Sequence, residues 1–224
     1  MTIVATLFVV TLHPLIVIQT DDTNHFKSHP SMKKLLATLV LVSGFYTAFS
    51  QVNWILETSH TSVQFAVDHM GFSETTGNFK KMEGTFQSSD DKVNNLTGKI
   101  TIQIGSINTD NEDRDKHLQA EDFFDAQKYP TMTYAVKSIK KTGNNVTVTG
   151  DLTIKGKTKP VTMTGLFKGV GQDPYGGTRA GFARLTTTIN RQDFGLTFNK
   201  TMAAGGLVVG DEVRITINAE LLKK

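Results

Sequence analysis

The chain has 224 residues and a formal net charge of +3, and 38% of its residues are hydrophobic. This charge is too small to indicate the basic surface by which a protein binds nucleic acid. The sequence contains no cysteine, which excludes disulfides, thiolate metal sites, cysteine nucleophiles and lipid attachment at an N-terminal cysteine.

The first fifty residues predict a secretory signal rather than a part of the fold. Met32 begins a segment in which two lysines precede an apolar run at 35–42. Small residues then lead to Ser50 at the spacing that a signal peptidase recognises, so we expect residues 32–50 to be a signal peptide. Residues 1–31 are expected to be an upstream extension outside the fold, with a membrane anchor as the alternative.

Residues 51–224 predict one all-β domain. Short segments in which apolar and polar residues alternate recur along it, as is typical of half-buried strands, and the clearest is the run at 96–104. About eight such strands joined by short turns must bury their apolar faces against one another. This pattern predicts an antiparallel barrel with its apolar side inward. A change of parity between Phe79 and Met82 predicts a bulge near residues 80–81.

The interior of a barrel with eight strands is either filled by side chains or holds one small ligand. Gly98, Gly150 and Gly165 fall on apolar faces, where missing side chains would leave a cavity. The other interpretation, that these glycines mark bulges or corners, is equally open at this point. The side chains that we expect to line the interior are Phe65, Val67, Phe79, Phe86, Ile102, Ile104, Phe123, Phe124, Met132, Tyr134, Leu152, Met163, Phe167 and Phe182.

The segment at 106–130 lacks the alternation of the strands and combines acids, bases, a histidine and the pair Phe123 and Phe124. Asp110 or Asn111 is suited to cap a short helix here. We interpret this segment, called the lid below, as a helical or irregular excursion that covers one end of the barrel.

Four polar side chains carry donors that suit a phosphate or quinone oxygen, and we expect them to hold the polar end of a ligand: His60, Arg114, His117 and Arg191. We expect Arg191 also to pair locally with Asp193. The histidines lack metal-binding spacing and the serines lack the context of a nucleophile, so no metal site, cofactor or catalytic residue is predicted. The alternative is a small hydrolase or isomerase that acts on a lipid-like substrate at the Arg114–Asp125 cluster.

A set of short motifs resembles the YceI family of lipid-binding proteins. The motifs follow one another across residues 52–222 and are WILETSH (54–60), GNF (77–79), SINT (106–109), RDKHL (114–118), DFFD (122–125) with YP (129–130), GDLTIKG (150–156), NRQDFG (190–195) and VGD (209–211). Two positions depart mildly from the family pattern, because Glu57 replaces the usual Asp and Thr61 replaces the usual Ser.

The resemblance implies a lipocalin-like, eight-stranded antiparallel barrel with a long apolar pore. It implies a periplasmic or secreted protein that binds a polyisoprenoid, an isoprenoid quinone or a similar amphiphilic lipid without catalysis. The expected partner is therefore a long-chain isoprenoid or other amphiphilic lipid. No nucleic-acid partner and no stable membrane span in the mature chain are expected, and a homodimer is left open.

Overall fold

Alternating apolar and polar residues form eleven β-strands in the part of the chain that the computed structural model describes, residues 51–203 and 205–224. The predicted extension and signal peptide, residues 1–31 and 32–50, lie outside the described residues. The strands are β1 Val52–Leu56, β2 Ser62–His69, β3 Ser73–Phe79, β4 Met82–Ser88, β5 Thr97–Gln103, β6 Ile107–Asn108, β7 Thr131–Thr142, β8 Asn145–Ile154, β9 Lys157–Gln172, β10 Thr178–Asn190 and β11 Val209–Lys223.

These eleven strands form the eight positions of a closed antiparallel barrel, as predicted. Three positions are interrupted. A 3-10 turn at Thr58–His60 separates β1 from β2, residues 80–81 separate β3 from β4, and a 3-10 turn at Ile104–Ser106 separates β5 from β6. The ring closes because β11 pairs with both β1 and β2. The break at 80–81 lies where the change of parity predicts a bulge.

The buried faces of the strands form one apolar core inside the barrel. Along β8, for example, Val146, Val148, Leu152 and Ile154 are buried, and the residues between them are more exposed. Trp54 is 1% exposed, and its indole nitrogen donates a 2.8 Å hydrogen bond to Ser88. Because a buried N–H without an acceptor is costly, this bond allows the largest side chain of the chain to lie inside the barrel.

The three glycines on apolar faces mark close approaches of the backbone. A Cβ atom on Gly150 would lie 2.3 Å from the carbonyl oxygen of Ala135, beside a register shift between β7 and β8. A Cβ atom on Gly165 would lie 2.6 Å from the carbonyl oxygen of Arg184, beside a register shift between β9 and β10. Gly98 is crowded in the same way. The bulge interpretation is therefore correct at Gly150 and Gly165, and the crowding at all three glycines shows that the cavity interpretation is wrong.

The lid contains the helix α1, Glu112–Leu118, between β6 and β7. Asn111 caps it by accepting a 2.9 Å hydrogen bond from the backbone N–H of Arg114, which selects Asn111 from the two predicted caps. After the helix, the ring of Phe124 meets the ring of Phe79 edge-on at 6.1 Å. The lid is thus packed onto the barrel through an aromatic contact with β3.

A second covering segment joins β10 to β11 after a 3-10 turn at Arg191–Phe194. We call residues 196–203 and 205–208 the strap. The backbone N–H of Phe198 in the strap donates a 3.0 Å hydrogen bond to the carbonyl oxygen of Asp122 in the lid. Within the described residues, no helix has the length and hydropathy that crossing a membrane requires.

Candidate functional site

An apolar cavity of about 100 Å³, which we call the chamber, lies inside the barrel under the lid and the strap. Six of the fourteen side chains predicted to line the interior are found here: Phe65, Val67, Phe79, Phe123, Phe124 and Met132. Further apolar walls come from side chains that the sequence does not single out, namely Val63, Leu118, Ile154, Ile189, Phe194, Leu196, Val209, Val213 and Ile215.

A second apolar cavity of about 40 Å³ lies in the other half of the barrel, and we call it the lower cavity. Four further predicted side chains line it: Phe86, Tyr134, Met163 and Phe182. The hydroxyl of Tyr134 lies 2.9 Å from the carbonyl oxygen of Val161 and donates to it. Burial raises the pKa of this phenol to about 12, so it stays neutral and serves as a satisfied polar group in the wall.

The remaining four predicted side chains line neither cavity. Ile102, Ile104 and Leu152 are buried in the core. On β8, Ile154 faces the chamber and Val148 faces the lower cavity, so Leu152 lies in the layer between the two. Phe167 is half-buried and packs against Phe182 at a ring distance of 5.2 Å, with the Lys141 ammonium over its other side.

A recess of about 210 Å³, which we call the vestibule, adjoins the chamber, and its lining is mostly apolar but includes polar side chains. The two spaces share a wall made of Phe65, Val67, Leu118, Phe123 and Val209. The vestibule adds polar side chains that the chamber lacks, namely Asp68, His69, Thr75, Arg114 and His117. An apolar interior and a recess that carries polar side chains therefore share one layer of side chains.

Three rings, which we call the aromatic gate, meet beside that layer, with Phe123 in the shared wall and His117 and Phe198 on the vestibule side. Phe123 stacks on Phe198 with ring centroids 4.8 Å apart, and His117 meets both rings edge-on at 5.0 and 5.1 Å. Nε2 of His117 also lies 3.0 Å from a carboxylate oxygen of Asp122. Because one ring comes from the strap and two come from the lid, relative movement of these segments would open the wall.

Arg114 is held at the vestibule by the loop before its helix. Its Nε donates to the Thr109 hydroxyl and its Nη2 donates to the Thr109 carbonyl, each at 2.7 Å. Asp115 accepts from the backbone N–H and hydroxyl of Thr109 at 2.9 and 2.6 Å. These bonds fix the position of Arg114. They also engage the Asp115 carboxylate, which would have to act as an acid or base if the protein were the hydrolase or isomerase of the alternative interpretation. The Nη1 group is the part of Arg114 that a ligand could engage.

Arg191 lines the chamber, yet its donors are used within the protein. The side chain is 3% exposed and donates to the carbonyl oxygens of Leu196, Gly210 and Val209 at 2.6, 2.8 and 3.1 Å. Its carboxylate partner is Asp211 on β11 at 2.9 Å, so the expected pairing with Asp193 is wrong. Burial lowers the pKa of the guanidinium, and the charge of Asp211 opposes that effect. Arg191 therefore joins the two ends of the strap.

His60 lies apart from the other predicted head-group residues. Its Nδ1 is 2.6 Å from the carboxylate of Glu57, and both face Glu220 near the C-terminal end of β11. The vestibule contacts Val209 at the opposite end of the same strand, eleven residues from Glu220 and thus about 36 Å away at the rise of an extended chain. The structure thus brings Arg114 and His117 together at the vestibule and places His60 elsewhere.

Several site residues are absent from the sequence-based prediction. His69 and Thr75 lie close to the β2–β3 turn. Because turns lie at the ends of a barrel, this proximity to a turn could have predicted that both residues lie at the barrel mouth. Phe198 lies in the irregular strap, where no periodicity indicates which side chains turn inward. Val209 begins a motif of the family resemblance but was not treated as a wall residue.

Comparisons with known proteins agree with this architecture. A family model described as "YceI-like domain" matches residues 54–221. Protein YceI of Escherichia coli is 41% identical over 160 residues, which cover 67% of this chain and 81% of that protein. The solved Campylobacter jejuni YCEI protein is 33% identical with a TM-score of 0.60, and the match covers 70% of this chain and 90% of that chain.

A third relative has the same fold at greater sequence distance. It is a solved polyisoprenoid binding domain from Saccharophagus degradans, implicated in plant cell wall breakdown. It is 15% identical with a TM-score of 0.55, and the match covers 76% of this chain and 98% of that chain. The family model and the Escherichia coli relative together identify the chain as a member of the YceI-like domain family.

Proposed function

We propose that this protein is a binding protein that holds a long-chain amphiphilic lipid, such as a polyisoprenoid or an isoprenoid quinone, with its tail in the barrel. The observation that carries the proposal is the apolar chamber that shares a wall with a vestibule carrying the polar side chains of Arg114 and His117. Membership of the YceI-like family and the fold shared with a domain that binds polyisoprenoid support the same ligand class.

The energetics favour a long tail. Each CH₂ group moved from water into the barrel contributes about 0.8 kcal/mol, so ten such groups contribute on the order of 8 kcal/mol. Association itself costs roughly 4–15 kcal/mol, so a short acyl group would bind weakly. The chamber of about 100 Å³ is smaller than the roughly 300–1,000 Å³ of typical ligand pockets. A long tail therefore requires the lid and the interior side chains to move apart.

The proposed contacts divide by chemistry. The tail would lie against the chamber walls, above all Phe65, Phe79, Phe124 and Met132. The polar end would lie in the vestibule, where Arg114 and His117 offer donors to a phosphate or quinone oxygen. The chamber and vestibule are built from a single chain. The proposed binding thus does not depend on the homodimer that the sequence leaves open.

We also propose that the protein acts in the periplasm or after secretion. The support is the predicted signal peptide at 32–50. The proposed role is binding without chemical change of the lipid.

The test is native mass spectrometry of protein purified from its own host, followed by extraction and identification of the ligand. We expect one chemically unaltered lipid with a long apolar tail in each chain. Protein that arrives empty and takes up no polyprenyl phosphate or isoprenoid quinone in titration would contradict the proposal. A lipid-like substrate that is turned over, with the turnover lost in Asp115→Asn, would establish the hydrolase or isomerase alternative instead.

A further inference from the structure

Among the described residues, two large hydrophobic side chains are almost fully exposed, and they lie at opposite ends of the barrel. Phe72 is 88% exposed in the β2–β3 turn, next to His69 in the vestibule wall. Tyr175 is 94% exposed in the β9–β10 turn, close to where Arg179 pairs with Leu222 at the C-terminal end of β11. Only Phe72 is therefore beside the mouth of the proposed lipid site.

The turn that carries Phe72 has an unusual sequence for its shape. Met70 and Gly71 both have positive φ, at 59° and 70°. A β-turn whose two central residues both have positive φ favours Asn-Gly, because a methionine in the left-handed region is strained. The chain instead places methionine and then phenylalanine at the tip. A local choice that costs stability and exposes apolar surface indicates a binding role.

The exposed tip is continuous with the strap. The backbone N–H of Met70 donates a 3.1 Å hydrogen bond to the carbonyl oxygen of Val208, and Val208 also lines the vestibule. We call Met70, Phe72, Leu207 and Val208 the rim. Its apolar side chains lie at the edge of the vestibule, so a surface that contacts the rim also meets the entrance to the chamber.

The acidic groups next to the tip are engaged within the protein. A carboxylate oxygen of Asp68 accepts a 2.7 Å hydrogen bond from the backbone N–H of Gly71. Glu74 forms an ion pair with Arg214, at 2.9 and 2.7 Å from Nη2 to its two oxygens. The ion pair with Arg214 offsets the charge of Glu74 and reduces the repulsion that it would otherwise meet at the phosphates of a lipid surface, whereas the hydrogen bond fixes the Asp68 carboxylate against the turn without removing its charge.

From these observations we propose that the rim docks on a phospholipid bilayer, with Phe72 inserted at the boundary between head groups and acyl chains. The inference rests on the proposed function, since a water-insoluble cargo has to be taken from a membrane or returned to one. Docking by the rim places the vestibule against the bilayer, so the tail passes into the chamber without crossing water.

The test compares Phe72→Ser with the matched control Tyr175→Ser, because both remove an exposed aromatic ring from a hairpin tip. The first measurement is flotation of each protein with plain phosphatidylcholine vesicles. The second is the rate of loading from phosphatidylcholine vesicles that contain a long-chain isoprenoid quinone. The third is equilibrium binding of the same quinone added from ethanol, with no vesicles present.

For Phe72→Ser we expect flotation to be lost and loading to slow by about tenfold, the factor that corresponds to burial of one phenylalanine ring. Equilibrium binding from ethanol is expected to be unchanged, and Tyr175→Ser is expected to match the wild type throughout. If Phe72→Ser floats and loads as well as the wild type does, the docking proposal is wrong. It is also wrong if the substitution changes self-association of the protein but not its flotation with vesicles. If the wild type binds no quinone by either route, the proposed function fails, and flotation still tests the docking.

Discussion

Arg191 is a buried guanidinium that holds four groups of the strap and of β11 in place. We expect Arg191→Met to lower the free energy of unfolding by about 3–5 kcal/mol, because it leaves three carbonyl oxygens without their donor and removes the charged partner of Asp211. Urea unfolding followed by circular dichroism measures this change. Because the bonds join the two ends of the strap, the variant should also lose resistance to proteolysis there.

The matched control for this prediction is Arg214→Met. Arg214 forms an ion pair with Glu74 in which both side chains are about half exposed. Exposed pairs contribute only about 0–1 kcal/mol, so this variant should unfold almost as the wild type does. Equal losses in the two variants would show that burial of Arg191 does not have the energetic role assigned to it.

Glu57 gives the fold a defined dependence on acid. Hydrogen bonds from the side chain of Ser59 and from His60 lower the pKa of this carboxyl from 4.5 to about 2, against the opposing effect of burial. The pKa of Glu57 is lower in the folded protein than in the unfolded chain, so its ionised carboxylate stabilises the fold. This stabilisation is fully present above the unfolded pKa of 4.5 and is lost as the pH falls towards the folded pKa of about 2. We expect Glu57→Gln to cost about 1 kcal/mol at pH 7, as for a lost helix cap.

The measurement is the free energy of unfolding of the wild type and Glu57→Gln from pH 7 to pH 2. The two curves should approach one another between about pH 4.5 and pH 2, and the wild type should have the steeper acid limb. A difference that stays constant over this range would exclude the carboxylate as its source.

At the scale of elements, the lid is held by its aromatic contacts more than by its own helix. The helix α1 has seven residues and no buried side chain, so it is too short to be stable alone. Phe124 anchors the segment that follows by contact with Phe79, and it also lines the chamber. We expect Phe124→Ala to weaken binding of a long-chain lipid by about tenfold or more while the barrel stays folded.

Phe167→Ala is the matched control for the lid. Phe167 is also a half-buried phenylalanine and packs against Phe182, but it lines neither the chamber nor the vestibule. Both variants lose a similar ring from the protein, and only Phe124→Ala should lose affinity for a fluorescent long-chain lipid in titration. Equal affinities in the two variants, with both folded by circular dichroism, would count against the role of the lid.

At the scale of the whole molecule, the barrel could be predicted from the sequence because its signal is local. Alternation with a period of two follows from strand geometry, so each strand reports its own buried face. The cap at Asn111 and the break at 80–81 were accessible for the same reason. The position of a polar side chain around the barrel is a non-local property, and there the prediction was weaker.

Arg191 and His60 illustrate that limit. The sequence predicts that Arg191 pairs with Asp193, two residues away. In the structure Arg191 pairs with Asp211 instead, because the strap brings the start of β11 next to Arg191. His60 has the same donors as His117, but it lies in a turn between β1 and β2, whereas His117 lies in the lid helix beside the vestibule. A sequence gives the types of donors that are present, and the path of the chain decides which of them meet.

The layer between the chamber and the lower cavity is the feature of the whole barrel that would limit the length of a tail bound as proposed. Leu152 lies in this layer, between Ile154 above and Val148 below on β8. In the described structure the two cavities have volumes of about 100 and 40 Å³. A tail that fills both has to displace the layer, and the cost of doing so reduces its affinity.

Leu152→Ala is therefore expected to have opposite effects on stability and on the binding of long tails. It should lower the free energy of unfolding by about 2–5 kcal/mol, since it leaves a cavity in the core. It should also raise affinity for the longest members of a prenyl series relative to the shortest, because the new space joins the chamber to the lower cavity. Val146→Ala, at the other end of β8 and lining neither cavity, should lose stability without changing the preference for length. An unchanged preference in Leu152→Ala would mean that tails do not pass this layer and that the lipid is held by the chamber and the lid alone.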